Sequence, residues 1–186
     1  MSIPFKLSKF FLIAAVLFIA VVTPSTLFPF IVGKYVWFRT AVDLALLAFA
    51  LGLLFNQHQS AAISINQRLS SIFKNPLVIA VSIFVAMFLL AGFFGVDPAM
   101  SFWSNFERGE GGLQILHLYV FFMLLATLFR EERDWRRLFA WSLVAGLFMT
   151  FYGVGAGLRY VDAELAVRHL PEGGIEETFT GEGGPW

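Results

Sequence analysis

Five long apolar stretches alternate with short charged segments along the chain, at residues 10–32, 36–55, 77–96, 113–129 and 138–157. A hydrocarbon core about 30 Å thick is crossed by roughly 20 helical residues. Inside it every backbone N–H and C=O must bond within its own segment, so each stretch is predicted to be a helix. The predicted fold is all-α: a polytopic membrane bundle of about five transmembrane helices over residues 1–157. A Gly- and Glu-rich segment, 158–186, follows as an outward-facing tail or the start of a further loop.

The loops set the orientation. Lys6, Lys9, Arg68, Lys74, Arg130, Arg133, Arg136 and Arg137 fall on one side; Lys34, Arg39, Arg108, Arg159 and Arg168 fall on the other. Cytoplasmic loops carry the excess of Lys and Arg, so the N-terminus is predicted inside and the C-terminus outside. Trp37 and Trp103 then lie at outer boundaries and Trp135 and Trp141 at inner ones, as an aromatic belt requires. Phe102, Trp103 and Phe106 form either a short segment in the outer interface or an aromatic exit loop.

The first stretch has a signal-like start, with two lysines before an apolar run. No small-x-small cleavage pattern follows, and apolar residues resume at Leu27. It reads as a retained span, with Pro24 and Pro29 predicted to kink or split it.

Composition narrows the chemistry. The chain is 58% hydrophobic and 14% charged, where a soluble chain averages roughly 25% charged. Zero net charge gives no field to gather nucleic acid. With no cysteine, disulfides and thiolate metal sites are excluded. His58, His117 and His169 fall at different depths or compartments, so no metal site and no cofactor is expected. Gly109, Gly111 and Gly112 precede a membrane helix and follow no strand, which excludes a nucleotide-binding loop.

Polar residues within the spans stand out, because a charge at mid-bilayer costs about 2.5–3.5 kcal/mol on insertion scales. Asp43 lies in the second span with Arg39 one turn before it on the same face. They form either an intrahelical ion pair with Arg39 snorkelling outward, or a site where Arg39 faces a cavity and holds an anionic lipid head group. In the fourth span Gln114 and His117 are also one turn apart, and Glu107 and Glu110 extend their spacing into the loop. His117 is either a functional group or a hydrogen-bonding strut to a neighbouring helix. Gly153, Gly155 and Gly157 mark close helix approach or the point where the fifth helix frays. The Gly-Gly-Pro finish after Gly181 is linker chemistry, and with the odd number of spans it points to an N-terminal piece of something longer.

Two strings add a resemblance. Pro29-Phe30-Ile31-Val32-Gly33-Lys34, followed by Phe38-Arg39 and Val42-Asp43, is similar to the first-to-second span junction of the O-antigen ligase superfamily. Gly95-Val96-Asp97-Pro98, then Ser101-Phe102-Trp103-Ser104-Asn105-Phe106-Glu107-Arg108, leading through Gly111-Gly112 to His117, resembles its outer loop and following span. The resemblance covers most of residues 29–129. It implies part of a larger GT-C-like glycosyltransferase fold in a bacterial inner membrane. It further implies metal-independent, inverting transfer of a glycan from polyprenyl diphosphate to an acceptor hydroxyl on the outer face.

The partners implied are the polyprenyl-diphosphate-linked glycan and membrane lipids. The family's catalytic Arg and His belong to later spans and a large outer loop, so no catalytic residue is assigned. Arg39, Arg108 and His117 are the substrate-binding candidates; Asp43 and Gln114 are structural polar residues in the membrane. The alternatives are a polysaccharide flippase or permease piece and a small non-enzymatic membrane partner.

Overall fold

A computed structural model of the chain describes residues 3–21, 32–55, 65, 67, 69–104 and 111–168. Among the described residues there is helix and no strand. The helices are α1 (Ile3–Val16, continued by a 3-10 turn at Leu17–Ala20), α2 (Val32–Phe55), α3 (Pro76–Phe93), α4 (Pro98–Trp103), α5 (Gly112–Leu128) and α6 (Glu132–Arg168). Four have the length and apolar character to cross a membrane: Ile3–Ala20, Val32–Phe55, Pro76–Phe93 and Glu132–Leu158. α5, an apolar helix of 17 residues, is shorter and sits at the low end of what a bilayer needs.

Helix ends follow local chemistry. α1 starts at Ile3 rather than at Phe10, because Pro4 sits in the first turn, where its missing N–H costs nothing. Lys6 and Lys9 are therefore part of the helix rather than its flank. α1 tightens to 3-10 geometry and turns extended at Val21, ahead of the expected proline break. Pro24 and Pro29 themselves lie outside the described residues. At α3 the Asn75 side chain accepts from Leu77 N at 2.9 Å, with Pro76 at the first position.

The chain divides into two compact units, Met1–Gly146 and Leu147–Trp186. In the first, α1 and α2 pack antiparallel. Phe5 meets Phe49 with ring centroids 6.0 Å apart, and Phe18 meets Phe38 at 5.5 Å. Ser8 Oγ donates to Ala45 O at 2.8 Å, satisfying a fully buried hydroxyl. Gly52 opens a notch in α2 for Phe5: a Cβ there would stand 2.5 Å from the Phe5 ring. α5 runs parallel to α2 and completes the core with Leu124, Leu125 and Leu128 against Phe5, Leu12 and Phe49. Leu138 of α6 closes the same cluster. α3 lies antiparallel to α5, joined by a 2.7 Å hydrogen bond between the Ser82 and Tyr119 hydroxyls.

In the second unit the helix continues through Gly153, Gly155 and Gly157 to Arg168 without fraying. A Cβ at any of the three would meet nothing within 4 Å. Unbonded backbone is more costly in lipid than helical glycine is, which favours continuation. The expected tail boundary at 158 thus falls inside a helix, and residues 169–186 lie outside the described residues.

Candidate functional site

The two spans bearing expensive polar groups meet. Arg39 Nε donates to Gln114 Oε1 at 2.9 Å, and His117 Nε2 lies 3.2 Å from Asp43 Oδ1. The register explains the match. Residues 39 and 43 are one turn apart on α2, residues 114 and 117 one turn apart on α5, and parallel helices advance together. Two rungs therefore form across one interface. Arg39 and Asp43, for which the sequence left an intrahelical pair and a cavity-facing Arg39 open, are each engaged with the neighbouring helix.

Each rung has its own supports. The Arg39 guanidinium lies 5.7 Å from the centroid of the Tyr35 ring, one turn earlier on α2. Tyr35 was not singled out in the sequence, although its i, i+4 spacing to Arg39 was there to be read. Gln114 is buried. Its Oε1 is the acceptor, so Gln114 meets the guanidinium without adding charge. Phe18, Tyr35, Phe38, Leu118 and Phe121 enclose a cavity of about 250 Å³ beside this rung, with Gln114 a polar member of its wall.

The second rung constrains hydrogen positions. His117 Nδ1 is 2.7 Å from Leu113 O on its own helix, while Nε2 faces Asp43. Both neighbours are acceptors. The ring therefore lies between two acceptors, one on its own helix and one on α2. Both ring nitrogens of His117 thus have a partner within the bundle. The His117 side chain is 14% exposed, whereas Asp43 keeps 64% exposed and opens the rung on one side. At that depth an open carboxylate calls for a water-filled or polar cavity.

Residues 95–104 and the pair Gly111–Gly112 pack together at a corner ahead of α5. Asp97 caps α4 by accepting from Met100 N at 3.0 Å, and Ser101 Oγ donates to Asp97 O at 2.9 Å. Ser104 ends α4 with φ 61°, a conformation that strains a non-glycine residue. Gly111 then passes against α4 backbone to backbone: a Cβ there would run into the Phe102 carbonyl and sit 2.9 Å from Ser104 N. Gly112 seats the Phe102 ring, 3.0 Å from where its Cβ would be. Hydrogen bonding accounts for Asp97 and Ser101, and close packing for Gly111 and Gly112. Arg108, with Glu107 and Glu110, lies outside the described residues.

Among the described residues no cluster of His, Asp or Glu could hold a metal ion. No family model, curated protein or solved structure matches this chain.

Proposed function

We propose that this membrane bundle forms the lipid-facing wall of a site handling a polyprenyl-diphosphate-linked glycan, in a protein related to the O-antigen ligases. The observation that carries the reading is the Arg39–Gln114 rung set one turn from Asp43–His117, beside an apolar cavity. A lipid diphosphate needs fixed positive charge for its phosphates and an apolar lining for its isoprenoid chain. When the acceptor hydroxyl attacks the anomeric carbon, the bond to the diphosphate breaks and charge grows on the departing oxygen. A guanidinium already oriented by Gln114 and Tyr35 stabilises that charge without reorganising. In this role Arg39 binds the leaving group, and Asp43 and His117 hold α2 and α5 in register. The proton acceptor for the hydroxyl is not assigned to any of the four.

The test is glycan transfer from polyprenyl diphosphate in membranes carrying Arg39→Gln or Arg39→Lys, with protein level measured alongside. A loss of tenfold or more for Arg39→Gln at unchanged level, with partial recovery in Arg39→Lys, is expected. Unchanged transfer in Arg39→Gln would end this reading. A second reading, a polysaccharide permease, draws on the breakdown of α1 into a 3-10 turn and extended chain at Val21. It requires glycan flux across vesicles with no new glycosidic bond.

A further inference from the structure

The other end of the α1–α2 pair carries a second site. Lys6, Lys9 and Phe10 of α1 face Glu131, Arg133, Asp134 and Arg137 around a cavity of about 450 Å³, with Phe129 and Ile13 completing its apolar side. Two of the four cations are compensated. Lys9 is paired with Asp134, and Arg133 Nη2 lies 3.7 Å from Glu131 Oε2. Lys6 and Arg137 have no carboxylate within ion-pair distance among the described residues. The cavity thus holds four cations against two carboxylates, a surplus of two positive charges beside an apolar wall.

Phe10 links this cavity to a second one. It also lines an almost wholly apolar groove of about 360 Å³ between α1 and α2, with Phe11, Ala14, Leu17, Trp37 and Leu44 among its walls. The groove follows α1 from Phe10 to Leu17, roughly 10 Å at the helical rise. A cationic cavity opening into an apolar groove matches a ligand with an anionic head and a hydrocarbon tail. The ends of membrane helices are also where phospholipid head groups lie.

We infer that this end of the bundle binds one anionic glycerophospholipid, its phosphate between Lys6 and Arg137 and one acyl chain in the α1/α2 groove. By the positive-inside rule this is the cytoplasmic leaflet. The Lys9–Asp134 pair forms the floor: it fixes the distance between α1 and the start of α6, and so the width of the cavity. A free phosphate engages only the cationic half. A zwitterionic lipid brings its own cation against Lys6 and Arg137. The inference does not depend on what the protein does to glycans.

Purified protein in a neutral detergent is titrated with phosphatidylglycerol or phosphatidylcholine, reading bound lipid by native mass spectrometry and the thermal midpoint in parallel. The expected result is a preference for phosphatidylglycerol that falls about fivefold for Lys6→Gln or Arg137→Gln, and about 25-fold for the double variant. Both positions are exposed, and the thermal midpoint in phosphatidylcholine checks that the variants remain folded. Lys34→Gln, at the far end of α2, keeps the preference. Ala14→Phe, which fills the groove, weakens phosphatidylglycerol but leaves any effect of inorganic phosphate unchanged. Three results overturn the inference: equal binding of the two lipids, an undiminished preference in the double variant, or inorganic phosphate alone matching the lipid's stabilisation. The second would leave the four cations as topology signals only.

Discussion

α2 and α6 are both long apolar helices, yet 39% of the membrane-length stretch of α2 is buried and only 11% of that of α6. Their glycines differ in the same direction. Gly52 of α2 is filled by the ring of Phe5, which is wholly buried, whereas Gly153, Gly155 and Gly157 of α6 face open space. Small residues in an apolar helix permit close approach. They do not say whether a neighbour has taken up the invitation. The contrast also shows why the site is where it is: polar rungs are affordable on α2 because α5 lies against it to answer them.

The comparison breaks most sharply at Gly52. Gly52→Leu drives a side chain into the buried Phe5 ring and should cost about 2–3 kcal/mol in denaturant unfolding from micelles. A loss below about 1 kcal/mol would show that Phe5 has another seat. Next comes the anchor of α6. Asp134→Asn strands Lys9 beside Phe129 and should cost about 2 kcal/mol, while the double variant Lys9→Met/Asp134→Leu should recover most of it. If the double variant is no better than Asp134→Asn, the pair is not what ties α6 to the core.

The rungs are weaker. A double-mutant cycle on Asp43→Leu and His117→Leu should give a coupling of about 0.6 kcal/mol, with about 1.7 as the ceiling for such bonds in membranes. No coupling would mean that the rung does not form. Smallest of all is Gly155→Ala, which has no neighbour to strike and regains helix propensity. It should be neutral or stabilising by up to about 1 kcal/mol. A clear destabilisation would reveal that the α6 face is covered in the membrane.

The apolar helices were legible because run length alone reports a hydrocarbon core, although of the five expected spans four reach membrane-crossing length and α5 is shorter. Their ends were not: treating Lys9 as flank placed the start of α1 seven residues late, since its partner Asp134 is invisible at that separation. Likewise Gly153, Gly155 and Gly157 left close helix approach and a fraying end equally open, and the helix runs on through them. At the site, Arg39 and Asp43 were legible through their cost in lipid, and Gln114 and His117 through their spacing. Which helix would face which was not, because the turn-by-turn match of 39/43 with 114/117 appears only once α2 and α5 lie parallel. Buried Ser8 passed unnoticed in α1; its partner is a backbone carbonyl, for which no sequence signal exists.

The Lys9–Asp134 pair has a consequence in time. Its partners are 125 residues apart, and a ribosome adding about 5–20 residues per second needs about 6–25 s to pass from one to the other. Throughout that interval α1 is already synthesised and Lys9 has no carboxylate to meet, so its ammonium must reach for the water or phosphates at the membrane edge. The arrival of Asp134 ends that wait. Closure of α1 onto the start of α6 therefore waits for the synthesis of everything between them, and until it happens lipid phosphate is the natural stand-in for the missing carboxylate.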